Sequence, residues 1–195
     1  MLHDCVAEII PIEPDAGNAA AGIASTIVMV CEAVSIPYRL FKYANRGTSA
    51  NDNSMRYLCV LTIAGSDSCG GAGVQADIKT MSALGVYAAS AITSVTVQNT
   101  LGVKAIQAIE PAIVAGQIKA VMDDVKPVAI KIGMVNDCAT IHAIADSLSS
   151  YSPSTLVVDP VMASTSGSML MQRDALEVFC SELLPMATLL TPNIP

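Results

Sequence analysis

Leu61-Thr62-Ile63-Ala64-Gly65-Ser66-Asp67-Ser68-Cys69-Gly70-Gly71-Ala72-Gly73-Val74-Gln75-Ala76-Asp77-Ile78-Lys79-Thr80 changes its hydrophobic period midway, and that change predicts a strand, a turn and a helix. Tyr57 to Ala64 is a short apolar run bounded by Gly65, which suits a buried strand. From Ala72 onward the apolar residues Val74, Ile78, Met81 and Leu84 fall four, three and three apart, on one helix face. Gly85 then stops the helix.

The same alternation continues down the chain. Ala88 to Val97 reads as strand, Pro111 opens a helix with Val114, Ile118, Val121 and Val125 on one face, and Ala129 to Gly133 returns to strand. Ala139 to Ser149 reads as helix, Thr155 to Asp159 as strand, Gln172 to Leu184 as helix and Ala187 to Thr191 as strand. Strands alternating with helices of this length imply βαβ units, hence an α/β fold with a mainly parallel sheet covered on both faces. Ligands of such sheets bind beyond the carboxyl ends of strands, which directs attention to the loops after Ala64, Val97, Ile132 and Asp159.

Before this pattern the composition differs. Tyr43 to Arg56 is polar, rich in Gly, Asn and Ser and without apolar period, so residues 43–56 read as a linker. Residues 1–42 form an N-terminal extension with no motif to which chemistry can be attached, and residues 57–195 form the α/β domain.

The 195 residues are 52% hydrophobic and 14% charged, sufficient for one well-buried domain. A net charge of -7 with only 10 Lys+Arg and no basic run argues against a nucleic-acid surface, because phosphate contacts need clustered cations. A small molecule is the expected partner, and a phosphate ligand stays open because helix-start N–H groups hold anions without Lys or Arg. The most membrane-like stretch, Ala19 to Val30, is too short to span a bilayer, where roughly 18 or more apolar residues are needed. Six scattered cysteines without a C-x-x-C pair, and His3 and His142 far apart, suggest neither a zinc site nor a disulfide framework. A reducing, cytoplasmic compartment is expected.

Four glycines in the nine residues Gly65 to Gly73 let the backbone turn tightly and approach a ligand, although a plain βα turn has the same composition. A P-loop would need Lys-Ser or Lys-Thr directly after the glycines, and Lys79-Thr80 lies inside the helix. Gly71-Ala72-Gly73-Val74-Gln75-Ala76 nominally satisfies a dinucleotide fingerprint, yet Ile78 to Ile109 contains no Asp or Glu to hold a ribose. A small polar ligand is the remaining reading, with Asp77 one turn into the helix.

The opening run, with Val95-Thr96-Val97-Gln98-Asn99-Thr100, Lys131-Ile132-Gly133-Met134, Val157-Val158-Asp159-Pro160-Val161-Met162 and Leu190-Thr191-Pro192-Asn193-Ile194-Pro195, closely resembles the hydroxymethylpyrimidine/phosphomethylpyrimidine kinases of thiamine biosynthesis. Five motifs in collinear order are far more specific than any one. The resemblance implies a ribokinase-like, three-layer α/β/α sandwich. It implies ATP and Mg2+ as cofactors, and two phosphorylations of an aminopyrimidine, first on its hydroxymethyl group and then on the resulting phosphate.

Carried over by motif, Gln98 would hydrogen-bond the pyrimidine, since a carboxamide offers donor and acceptor together. Gly65, Ala72, Thr96 and Val97 would line the ring, Asp77 would orient the hydroxymethyl end or the ring amine, and Met134 and Val161 would form apolar walls. Asp159 would influence the magnesium and phosphates through water, and Asn193 would belong to an Asn-x-x-Glu motif. That motif breaks off at Pro195, so the resemblance implies that a C-terminal segment with the anion hole and most of the nucleotide pocket is missing, leaving activity impaired and a sheet edge exposed. No cysteine present has a catalytic context, so no catalytic residue and no direct metal ligand is assigned. The resemblance implies a homodimer, which no residue pattern here indicates. Other readings are a non-catalytic pyrimidine-binding module and a related ribokinase-like kinase for pyridoxal or a sugar, against which Val97-Gln98-Asn99-Thr100 argues.

Overall fold

The computed structural model of the chain describes residues 58–162 and 171–192. The N-terminal extension, the linker and Asn193 lie outside the described residues. Six strands form one sheet in the order β3-β2-β1-β4-β5-β6, and the chain runs β1 (Cys59–Asp67), α1 (Gly73–Ala83), β2 (Tyr87–Asn99), β3 (Gly102–Ala108), α2 (Pro111–Asp124), β4 (Ala129–Ile132), α3 (Cys138–Tyr151), β5 (Leu156–Val158), α4 (Ala175–Val178) and β6 (Leu189–Leu190). Every pairing is parallel except β2 with β3.

Side chains alternate between two faces along each strand. On one face Leu61, Ile63, Ala91, Ile130, Ile132, Leu156 and Val158 pack with α2, α3 and α4 through Val114, Ile118, Ile141, Ile144, Leu148 and Ala175, joined by Phe179 just after α4. On the other, Val60, Ala129 and Val157 pack with Met81 of α1 and with Val86. The result is the three-layer α/β/α sandwich expected from the alternating pattern. Among the described residues no helix is long and apolar enough to cross a membrane.

Two elements differ from the sequence expectation. β3 had no assignment. It folds back on β2 through the turn at Thr100-Leu101, where Asn99 Oδ1 accepts the Leu101 N–H at 2.9 Å. Lys104, Ala105, Gln107 and Ala108 are all exposed, so the ribbon buries no apolar face that would mark it as a strand. The expected helix over Gln172 to Leu184 is only four residues of regular α-helix. It widens into a π turn at Phe179–Leu183 and tightens into a 3-10 turn at Leu184–Met186. Pro185 has no N–H to continue the i to i−4 ladder, so the helix cannot run regularly through it.

β2 is longer than its partner β3, and the difference is accommodated by a side chain. Beyond the Ala108 end of β3, the Ile92 N–H donates to Gln117 Oε1 at 2.9 Å and Gln117 Nε2 donates to the Ile92 carbonyl at 3.1 Å. The carboxamide thereby satisfies both polar backbone groups that a strand residue, paired with β1 on its other side, turns toward the edge that β3 does not reach.

The strand order is nominally that of a dinucleotide-binding sheet, but β3 is reached by a hairpin where that fold uses a helical crossover. From β1 the chain first builds outward through β2 and β3, then crosses to β4 on the other side. That reversal opens a crevice at the carboxyl ends of β1 and β4, the place where sheets of this kind hold ligands.

Candidate ligand site at the strand ends

β1 continues past Gly65 to Asp67, with an irregular register opposite β2 between Ala64 and Ser66. Asp67 is buried, and its carboxylate organises the glycine loop. Oδ1 accepts the Cys69 N–H at 2.8 Å, and Oδ2 accepts the Gly71 and Ala72 N–H groups at 2.9 Å each. The Asp67 N–H donates to Gln75 Oε1 at 2.9 Å, and Gln75 Nε2 donates to Ser66 Oγ at 2.7 Å. The loop amides therefore face an internal carboxylate, so the Ala72 N–H is already engaged. Replacing Asp67→Ala strands three donors, and each hydrogen bond to a charged group contributes about 1.5–3 kcal/mol. With partial rescue by water we expect a loss of about 2–4 kcal/mol on urea unfolding.

Gly73 begins α1 at φ +57°, and a Cβ there would lie 2.2 Å from the Gly65 carbonyl oxygen. Gly65 is tight on its other side. Its Cβ direction is filled by Ser94 Oγ at 2.8 Å and Met134 Cε at 3.0 Å. Met134 is held there because its carbonyl accepts the Thr93 hydroxyl at 2.8 Å. Gly65, Ser94 and Met134 thus pack against one another at the strand ends, and among the described residues the buried Ser94 hydroxyl has no hydrogen-bond partner.

Gln98 stands at the far end of β2, tied to the glycine loop. Ser68 Oγ donates to the Gln98 carbonyl at 2.8 Å and accepts the Gln98 N–H at 3.0 Å. Thr96 Oγ1 lies 2.9 Å from the Ser66 carbonyl and 3.2 Å from Gln98 Oε1. Among the described residues the Gln98 amide nitrogen makes no hydrogen bond. Val97 points outward and is 58% exposed. Val161 sits half-buried in the turn after β5, its N–H on the Asp159 carbonyl at 2.9 Å.

Asp77 lies on the opposite, α1 face of the sheet. Its carboxylate accepts the Thr62 hydroxyl at 2.5 Å and the Lys131 ammonium at 3.0 and 3.2 Å. The same ammonium is 3.9 Å from Asp159 Oδ2. Side-chain exposure is 3% for Asp77, 7% for Lys131 and 16% for Asp159. Burial pushes the Asp159 carboxyl above its ordinary 3.8, Lys131 opposes the rise, and Asp77 adds to it. A carboxyl raised on folding contributes stability that is present below its unfolded value and is lost as pH climbs through the folded one. Asp159→Asn should accordingly flatten the decline of stability with rising pH above about 3.8, read from urea midpoints across that window.

Six of the nine expected site residues among those described fall into three groups, and Ala72, Val97 and Val161 belong to none of them. Gly65 and Met134 pack together, Thr96 and Gln98 are wired to the glycine loop, and Asp77 and Asp159 meet through Lys131. Asp67, Ser94 and Lys131 were not singled out from sequence. Lys131 carried a usable signal, a lone charge inside the apolar run Ala129-Ile130-Lys131-Ile132, because lysine is almost never fully buried unless paired. Among the described residues no three His, Cys, Asp or Glu side chains form a metal cage. An open cavity of about 550 Å³ lies between β3 and the start of α3, lined in part by Ile106, Asn136 and Arg173, and it contains none of the expected site residues.

Comparison with known proteins bears on this arrangement. The family described as phosphomethylpyrimidine kinase matches residues 67–195. A hydroxymethylpyrimidine/phosphomethylpyrimidine kinase of Rhizobium meliloti (strain 1021) is 54% identical over 134 residues, covering 69% of this chain and 50% of that one. The crystal structure of a phosphomethylpyrimidine kinase from Clostridium difficile 630 superposes with a TM-score of 0.67 at 51% identity, over 71% of this chain and 60% of that one. The pyridoxal kinase of Staphylococcus aureus, solved with AMP-PCP and pyridoxal, has a TM-score of 0.61 at 32% identity, over 70% of this chain and 48% of that one. The chain spans about half the length of the curated relatives it matches.

Proposed function

The chain belongs to the phosphomethylpyrimidine kinase family, and from that premise we propose that it serves the ATP-dependent phosphorylation of 4-amino-5-hydroxymethyl-2-methylpyrimidine and its monophosphate. The observation that carries the reading is the Gln98 carboxamide. Its oxygen lies 3.2 Å from the Thr96 hydroxyl, its backbone is pinned by Ser68, and among the described residues its amide nitrogen makes no hydrogen bond, at the same strand ends where Gly65 and Met134 pack together. An aminopyrimidine edge presents a ring nitrogen that accepts and an amine that donates, which a carboxamide matches in kind. The Met134 thioether, adaptable and polarisable, suits the face of a flat ring. Ala72, Val97 and Val161 belong to the same reading as close-contact surface.

Phosphoryl transfer depends mainly on positioning and on stabilising charge at the transferred group. Magnesium, when bound with the nucleotide phosphates, supplies that neutralisation and keeps several of its waters. Asp159 fits such a role through water, since it is a desolvated carboxylate whose nearest cation is more closely engaged by Asp77. Asn193 is proposed for the same end of the site. The reading assigns a cytoplasmic location and a homodimer as the family's expected setting, and it assigns no general base to the described residues.

Gln98→Ala should weaken hydroxymethylpyrimidine binding roughly ten-fold or more, the equivalent of one or two net hydrogen bonds. Calorimetric titration of the chain with the pyrimidine measures this directly. The decisive assay is ADP release with MgATP, with and without the pyrimidine and with pyridoxal as competitor. Pyrimidine-dependent release supports the proposal. A preference for pyridoxal, or no pyrimidine binding by a folded chain, overturns it.

A further inference from the structure

We propose that Lys131 is a positioning residue whose ammonium, held jointly by Asp77 and Asp159, fixes the Asp159 carboxylate at the crevice and ties it to the helix that follows the glycine loop. The path of the side chain is specific. Lys131 leaves the middle of β4 on the α1 face and runs toward the strand end beneath Gly133, where a Cβ would lie 2.8 Å from Lys131 Nζ and 3.0 Å from Ala64 Cβ. Gly133 therefore provides the space through which the ammonium reaches the strand ends. Once there it meets carboxylates from two separate elements, Asp77 of α1 at 3.0 Å and Asp159 after β5 at 3.9 Å.

One ammonium faces a buried and a half-buried carboxylate, so among the described residues the group carries one uncompensated negative charge. Asp77 has both oxygens on Lys131 and one also on Thr62, whereas among the described residues Asp159 makes only the longer Coulomb contact. The excess charge therefore resides on Asp159, the more exposed member, at the end of the crevice. An ammonium suits this place because it is a compact point charge with three rotatable donors, enough for two oxygens of Asp77 and a third direction toward Asp159. Removing it would leave Asp159 facing Asp77 with nothing between them, and its carboxylate would turn outward. The geometric claim stands apart from the pyrimidine-kinase reading. Only what Asp159 then does for a phosphorylated ligand rests on that reading.

The test is magnetic resonance on the full chain with 15N-labelled lysine and 13C-labelled aspartate. Lys79 and Lys119 are exposed, so their ammonium protons exchange rapidly, while Lys131 should give an exchange-protected signal that is lost in Lys131→Met. Asp77→Asn and Asp159→Asn should each shift that signal. In the neutralised double variant Asp77→Asn/Lys131→Met, which keeps the volume, the Asp159 13Cγ resonance should move from its wild-type position. An unprotected ammonium, an ammonium unmoved by Asp159→Asn, or an Asp159 resonance unchanged in the double variant overturns the proposal. Calorimetry with hydroxymethylpyrimidine on the same wild-type sample keeps the two ideas separate. A doubly held ammonium without pyrimidine binding removes the function and leaves the positioning role. Pyrimidine binding with an ammonium indifferent to Asp159 does the reverse.

Discussion

Lys131→Met should lower the stability of the chain by about 3–5 kcal/mol, because breaking a buried ion pair on one side leaves its partner charged and uncompensated. The setting makes the upper part of that range reasonable. Asp77 is 3% exposed and cannot turn to water, and Asp159 stands on the far side of the same ammonium. Methionine fills the lysine stem's volume without its charge, so the loss is electrostatic and not a cavity effect. Urea unfolding followed by circular dichroism measures it, since the sequence has no Trp to report by fluorescence. Asp77→Asn/Lys131→Met should recover most of the deficit, as replacing both partners of a buried pair by neutral groups of similar size is often close to neutral. A double variant no more stable than Lys131→Met alone would show that the lysine acts through packing.

Gly73→Ala should be comparably severe, for a backbone reason. At φ +57° any L side chain costs about 1–2 kcal/mol. The added Cβ would in addition lie 2.2 Å from the Gly65 carbonyl oxygen, a backbone atom within a buried strand that has no room to yield. Relief requires α1 to move off the end of β1, breaking the bridge between Ser66 and Gly73 and the turn organised by Asp67. We expect a total loss of about 3 kcal/mol or more, with pyrimidine binding reduced further than stability alone explains. Gly116→Ala is the control. Gly116 lies on the exposed side of α2 with nothing within 4 Å of its Cβ position, and alanine there should stabilise by about 0.5–1 kcal/mol. If the two substitutions had similar effects, the strain at Gly73 would not be real.

What could be read from sequence followed burial. β1, β4 and β5 announced themselves because both faces are covered, giving short apolar runs, β2 because its residues are apolar and β-branched even where Val95 and Val97 stay exposed, and α1 to α3 because one stripe is covered, giving the helical period. β3 was silent because its residues are mostly wet and alternate nothing. The irregular stretch after Ala175 was misread because apolar spacing persists through it while Pro185 changes the hydrogen bonding, which side-chain pattern does not record. The site followed the same division. Gln98, Gly65 and Met134 stood in recognisable runs. Lys131 depends on carboxylates 54 residues before it and 28 after it, Asp77 and Asp159, and no local pattern encodes such a meeting. Asp67 looked like one polar residue among several in a glycine-rich turn, and only the directions of the Cys69, Gly71 and Ala72 N–H groups distinguish it.

The carboxamide of Gln117 on Ile92 has a meaning beyond the local accounting of donors and acceptors. A strand that outruns its neighbour offers its open backbone as a template on which another chain can add itself, the first step of intermolecular β-aggregation. Here an incoming chain finds the Ile92 rung already taken by an imitation of a peptide group, delivered from a helix made of nearby sequence. The docking of α2 onto β2 brings that amide into place in the same motion that buries Val114 and Ile118. Self-protection against misassembly is thus acquired with the core itself, and Gln117→Ala would be expected to surface first as a loss of yield on refolding at high concentration, ahead of any loss of stability.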